Sequence, residues 1–280
     1  MKKIVAALDG LKYSRSTRDY AISLAKLHKA HLVGVFLEDF TYTSYKIYEL
    51  VHAKGGMIGS ARRKLDQKDA KERATSRDNF ERACQKAGLE YTVHRDRSIA
   101  IQELLHESIY ADLIVIDIRE TLSHYPEKAP TSFVRDLLSQ AQCPVLIVPP
   151  VFRPNNKVIL LYDGSPSSVH AIKMFSYTLP GLNNYKVEIL CVKPTGKNHH
   201  VPENKLMKEF IKRHFPNGSF TVLNGFADLE IVKYLKTQKD APLVVLGAYR
   251  RGMVSRWFKE SMADTIMKEV KLPLFIAHNK

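Results

Sequence analysis

Cysteine is scarce in this chain. Cys84, Cys143 and Cys191 are the only three in 280 residues, and none has a partner at ligand or disulfide spacing. A zinc-finger pattern and a disulfide scaffold are therefore excluded, and reduced, mostly buried thiols are expected. Long apolar runs are missing too: no stretch approaches the roughly 20 residues a membrane span needs. The N-terminus, MKKIVAALDG, has a basic start but only Ile4–Leu8 as an apolar segment before Asp9. That is shorter than the roughly 7–15 residues of a signal-peptide core. It reads as a first β-strand, and the chain as cytoplasmic. Acidic charge is in deficit, with a formal net charge of +14. Residues 1–150 carry 23 basic and 19 acidic side chains, residues 151–280 carry 20 and 10. The excess in the second half is either a solvated surface or an attraction for phosphorylated ligands or nucleic acid. A hydrophobic content of 45% supplies a core and argues against disorder.

Several chemistries lack their signatures. Gly247 and Gly252 bracket a P-loop-like spacing, but Met253 and Val254 stand where Lys and Ser/Thr belong. No Gly-x-Ser-x-Gly elbow surrounds Ser165, Ser167 or Ser168. Ser165 and Ser168 read instead as bonding the first turn of a helix opened by Pro166. His199 and His200 are adjacent, but no carboxylate or cysteine stands at ligand spacing beside them. His94, His106, His170 and His214 are scattered and read as surface or helix-face residues. Aromatic and basic residues alternate in Tyr249-Arg250-Arg251 and Arg256-Trp257-Phe258 without matching a nucleic-acid reader.

A duplication is present. Lys3–Gly10 (KIVAALDG) reads as a buried strand ending in an acidic turn, and Lys157–Gly164 (KVILLYDG) repeats it. Ala111–Asp117 (ADLIVID) recurs as Ala241–Gly247 (APLVVLG), and Cys143–Val148 (CPVLIV) as Leu272–Ala277 (LPLFIA). Three landmarks repeated in the same order indicate a copied unit. Each half reads as five strands alternating with helices. Strands are expected near 3–9, 31–37, 89–95, 112–117 and 144–148, then near 157–163, 186–192, 219–224, 242–247 and 273–277. Ser14–His28 and Asp228–Lys239 are among the helical patterns between them. Strands apolar on both faces and separated by helices predict parallel sheets covered on both sides. Pro149, Pro150 and Pro154 mark the boundary between halves.

The first half carries added sequence from about Asp39 to Ala87. Tyr42, Tyr45, Tyr48 and Val51 share one helix stripe by their three-residue spacing, and Gly55, Gly56 and Gly59 interrupt it. A long polar helix pattern, Ser60–Ala87, reads as a solvent-facing arm; covering the first half's site or touching another subunit are the alternatives. At the other end of the chain, an apolar run ending in Gly247 leads into a loop with Arg250, Arg251, Arg256 and Lys259, then a helix pattern from about Ser261. A strand, a loop and a helix N-terminus in that order suit an anion, and suit an ordinary strand–helix connection equally well.

With Asp9-Gly10 and Asp163-Gly164-Ser165 after the first strands, and strand–loop–helix–Pro–strand endings in both halves, the chain resembles the universal stress protein family in its tandem form. The resemblance implies two doubly wound α/β domains of the adenine-nucleotide alpha-hydrolase type, 1–150 and 151–280, each a five-stranded parallel sheet. It also implies that the last strands of the halves pair edge to edge, Val145–Val148 beside Leu274–Ala277; a homodimer of the whole chain is open. Nucleotide-binding members carry a Gly-x2-Gly-x9-Gly-Ser/Thr loop after the fourth strand and an acidic residue after the first. Matched position by position, the second half supplies Asp163, Gly247, Arg250 and Ser261 as nucleotide-binding residues, with Glu260 at the third glycine. The first half has Asp117 and Glu120 at the glycines, which makes nucleotide binding there unexpected. The resemblance thus implies a non-catalytic stress-response or regulatory protein with a degenerate ATP-type site in the second half, and magnesium only alongside a nucleotide. The alternatives are a slow ATP-hydrolysing or phosphoryl-transfer enzyme using that site, and an interaction scaffold that binds no nucleotide. Neither a membrane nor a nucleic-acid partner is expected.

Overall fold

A computed structural model describes residues 1–38, 43–44, 58–96, 99–123, 125–154, 156–195, 200–248 and 262–278. The tyrosine stripe at 42–51 and the loop residues Arg250, Arg251, Arg256, Lys259, Glu260 and Ser261 lie outside them. The chain opens with β1 (Lys3–Asp9), α1 (Arg15–His28), β2 (His31–Leu37) and the long α2 (Ile58–Ala87). It continues through β3 (Tyr91–Asp96), α3 (Ala100–Tyr110), β4 (Leu113–Asp117), α4 (Ser132–Gln140) and β5 (Val145–Val148). The second half repeats the alternation: β6 (Lys157–Leu161), α5 (Pro166–Thr178), β7 (Lys186–Lys193), α6 (Asn204–His214) and β8 (Ser219–Asn224). α7 (Ala227–Lys236), β9 (Leu243–Gly247), α8 (Met262–Glu269) and β10 (Leu274–Ala277) complete it.

All ten strands form one sheet in the order β3-β2-β1-β4-β5-β10-β9-β6-β7-β8. Reading outward from the centre, both halves have the same strand order, and pairing within each is parallel. Among the described residues the one antiparallel contact is central, where Leu274 faces Ile147 and Ile276 faces Val145. Because the pleat alternates, Ile4, Ala6 and Leu8 belong to the core layer on the face covered by α1, α2, α5 and α6, while Val5 and Ala7 belong to the layer on the opposite face, covered by α3, α4, α7 and α8. β4, β5 and β6 are buried along their whole length, as parallel strands roofed on both faces must be. Each fully buried Ile, Leu or Val contributes about 1.5–3 kcal/mol.

Helix starts are encoded locally. Ser14 accepts from Thr17 N–H, Thr131 from Val134 N–H and Ser165 from Ser168 N–H, with Pro166 as the first residue of α5. The segment that carries prolines 149, 150 and 154 is tied down. Ser16 Oγ donates to the Pro149 carbonyl at 2.6 Å, and Phe152 meets Tyr20 edge-on at 4.7 Å.

The long helix departs from the expectation of a solvent-facing arm. Its C-terminal half is docked: Phe80 and Cys84 are fully buried, and Phe80 lies edge-on to both Phe36 and Tyr91. Gly34 of β2 makes the space, since a Cβ there would be 2.6 Å from the Phe80 ring. One turn earlier, Ser76 Oγ donates to the Gly10 carbonyl at 2.7 Å and Arg73 packs on Gly10. Sparse apolar positions on a polar helix were enough for docking because they coincide with a strand glycine.

Candidate functional site

In the second half, the chain leaves β6 toward β7, while β9 lies on the other flank of β6. The carboxyl ends of β6 and β9 are thus a topological switch point, where open α/β sheets hold ligands in the crevice between diverging loops. Asp163 and Gly247 both come to this place. Asp163 follows β6 through Tyr162, whose hydroxyl donates to the Pro202 carbonyl at 3.0 Å. Gly164 then turns with φ of 86°, a left-handed conformation suited to glycine. The Asp163 carboxylate accepts the Ser165 N–H at 2.9 Å. Burial works to raise its pKa, but hydrogen bonding from Ser165, and then Ser168, outweighs it and holds the carboxyl below its ordinary range. Asp163 is therefore an ionised acceptor at neutral pH. Ser165 and Ser168 serve the first turn of α5, as their positions before and after Pro166 suggested.

Gly247 has a packing cause of its own. A Cβ on it would lie 2.4 Å from the Ser167 carbonyl oxygen and 2.6 Å from its Oγ. The first turn of α5 rests on the end of β9, and only glycine permits that approach. Gly247→Ala should accordingly cost about 2–3 kcal/mol of stability, because the obstructing atoms are backbone. Urea denaturation is the measurement, and a variant as stable as the parent would show that α5 can shift. Arg250 and Ser261, the other two residues matched to a nucleotide loop, lie outside the described residues.

The equivalent crevice of the first half is filled by its own side chains. Asp117 is 3% exposed and receives both arms of Arg119, at 3.0 Å and 2.9 Å, together with Ser14 Oγ at 2.8 Å. Glu120, 6% exposed, accepts the N–H groups of Thr121 and Leu122. Burial first, then the charges of Asp9 and Asp117, push its pKa up to about 8 despite those hydrogen bonds. What remains is a hollow of about 190 Å³ lined by Lys12, Ser14, Asp117, Arg119 and Glu120. Arg119 was missed in the sequence. Its signal is local, a guanidinium two residues after a carboxylate at a strand end, but such pairs are common on surfaces and reveal nothing until the strand end is known to be buried.

Among the described residues no group of three or more His, Cys, Asp or Glu side chains could hold a metal ion. His200 is exposed, and His199 lies outside the described residues. His94 binds Glu107, and His214 meets Ser176 Oγ at 2.7 Å, so two of the scattered histidines have structural partners. The three cysteines are free and buried, and no described helix is long and apolar enough to cross a membrane.

A sequence profile of the universal stress protein family matches residues 1–149. Solved structures similar to the whole chain include a universal stress protein from Archaeoglobus fulgidus DSM 4304, at 14% identity and a TM-score of 0.65, covering 99% of this chain and 98% of that one. A candidate universal stress protein from Pseudomonas aeruginosa UCBPP-PA14 is similar at 16% identity and a TM-score of 0.60, covering 99% and 93%. A functionally unknown protein from Pseudomonas aeruginosa PAO1 is similar at 14% identity and a TM-score of 0.61, covering 99% and 92%. At these identities the likeness is one of fold. No curated protein sequence matches the chain.

Proposed function

The chain belongs to the universal stress protein family, and from that footing we propose that it is a non-catalytic stress-response or regulatory protein whose second half holds an ATP-type adenine nucleotide. The reading divides the chain into two family domains, 1–150 and 151–280. It treats the antiparallel β5–β10 seam as the joint between them, a pairing that leaves neither strand with an open edge. The observation that carries the nucleotide reading is the contrast between the two switch points. In the first half, Asp117, Arg119 and Glu120 occupy the crevice with each other. In the second, Gly247 stands where the first half has Asp117, and Asp163, the counterpart of Asp9, stands ionised after β6, able to accept a hydrogen bond from an amino or hydroxyl group. Arg250 and the hydroxyl of Ser261, next to the start of α8, are the residues we assign to the phosphates. Magnesium enters only with the nucleotide. Buried reduced thiols fit a cytoplasmic setting, and association of whole chains into a homodimer is compatible with the reading.

Calorimetry of the intact chain with ATP, AMP and cyclic AMP tests this. Asp163→Asn keeps the turn acceptor and removes the charge, and it should weaken nucleotide binding by about 10-fold, the scale of a charge-assisted hydrogen bond. Unchanged affinity would remove Asp163 from the site. Heat from none of the three nucleotides would favour the scaffold reading, which has one observation of its own: Gly247 is explained by α5 without any ligand. The enzyme reading requires turnover of labelled ATP that disappears in Ser261→Ala.

A further inference from the structure

The two halves differ where α2 and its counterpart α6 lie. In the first half α2 runs 30 residues and closes over the β1–α1 turn. In the second half α6 has only 11 residues, and an open trough of about 470 Å³ remains between α5 and α6. That volume falls within the roughly 300–1,000 Å³ of small-molecule sites. Its walls are apolar: Tyr162, Val169, Leu206, Met207 and Phe210, with Gly164 at the upper end. Leu206 is 64% exposed although its neighbour Met207 is buried in the core. A leucine standing alone on a surface needs no explanation, but this one forms the rim of a continuous apolar wall.

Polar groups mark the two ends differently. Glu203, the N-cap residue of α6, stands at the upper end beside Gly164. Lys173 and His170 stand on the α5 side of the trough, and among the described residues no carboxylate pairs with Lys173. The positive charge of Lys173 reaches both His170 and His214: burial first, then that charge, keeps each imidazole below its ordinary basicity. Phe210 lies against His214 with its ring tilted, the centroids 4.3 Å apart. An anion is therefore attracted toward Lys173 and repelled at Glu203. From Pro166 to Lys173 the helix rises about 10 Å, the length of an extended chain of about eight to ten carbons.

We propose that the trough between α5 and α6 binds a medium-chain aliphatic carboxylate, its chain along Val169, Leu206, Met207 and Phe210 and its head group on Lys173. The trough adjoins the nucleotide crevice through Tyr162 and Gly164, but Asp163 itself is not part of its wall, and the proposal stands whether or not a nucleotide binds.

Calorimetric titration of the full chain with decanoate, below its micellar concentration, tests the proposal beside decanol and decyltrimethylammonium. One decanoate should bind per chain. Lys173→Ala should weaken it by about 2- to 5-fold, the range of an exposed ion pair. Leu206→Glu, at an exposed position that leaves the core intact, should abolish binding without changing the circular dichroism spectrum. Asp163→Asn should leave decanoate affinity unchanged. The proposal is overturned if folded wild-type chain shows no saturable binding, if decanol binds as tightly as decanoate, or if Lys173→Ala has no effect. It is also overturned if sedimentation shows dimers that Leu206→Glu dissociates while decanoate does not bind, since the trough would then be a contact between two copies.

Discussion

Glu120→Gln should flatten the fall in stability that the parent chain shows as pH rises. Glu120 has an ordinary carboxyl pKa of 4.5 when exposed and about 8 in the folded chain. A raised folded value means the folded state holds an extra proton between those two limits. The stabilising contribution is fully present below about pH 4.5 and is lost as pH rises through about 8. Above that range, ionised Glu120 costs about 3–5 kcal/mol. Glutamine reproduces the neutral form, since its carbonyl can accept from Thr121 and Leu122 N–H as the carboxyl does. The variant should thus match the parent near pH 5 and exceed it by that margin at pH 9, measured by urea denaturation at both. Parallel profiles for parent and variant would mean that Glu120 does not ionise in this interval. The same result bears on function, because a crevice that already strains to hold three carboxylates is a poor host for phosphates.

Glu188→Ala should be among the most destabilising single changes in the second half, at about 3–5 kcal/mol. Glu188 of β7 and Lys157 of β6 are 6% and 7% exposed and form an ion pair of 2.7 Å between neighbouring strands. Thr221 and Tyr234 donate their hydroxyls to the same carboxylate, and Lys157 also donates to Gln238 at 2.7 Å. Removing the carboxylate leaves a buried ammonium with one neutral acceptor and two hydroxyls without theirs. The double change Lys157→Met with Glu188→Leu should recover most of the loss, since it removes both charges at once. A single Glu188→Ala within 1 kcal/mol of the parent would sink this account. Burial raises the Glu188 pKa, but hydrogen bonding from Lys157, Thr221 and Tyr234 outweighs it and the folded value is depressed. Its contribution is therefore present above the ordinary value of 4.5 and lost as pH falls through the depressed folded value, opposite in sign to that of Glu120.

Lys157 and Lys3 show how far a linear reading reaches. Both open the first strand of their half, and both set an ammonium against a glutamate, Lys157 buried and Lys3 part-buried. Yet Lys3 meets Glu107 from α3, at 3.0 Å, and Lys157 meets Glu188 from β7. The repeat was visible because buried strands permit few residue types. The partners were not, because any of several neighbouring elements can deliver one carboxylate to a buried lysine. The nucleotide loop shows the same limit from the other side. Gly247 matched a ligand-contact position by spacing, and its nearest obstacle proved to be the α5 backbone. Spacing registers that a side chain is forbidden at a position without saying which atoms forbid it.

Strand count, alternation with helices, the duplicated plan and the helix caps were all written in the chain order. They depend on periodicity, on side-chain shape and on hydrogen bonds that span three or four residues, all of which are properties of short segments. Distances between segments were not written there. The docking of Phe80 against Gly34, the Asp117–Arg119 closure of one crevice and the open trough beside Lys173 arise when elements far apart in sequence meet on the sheet. Their energies depend on burial, and burial is a property of the assembled layers.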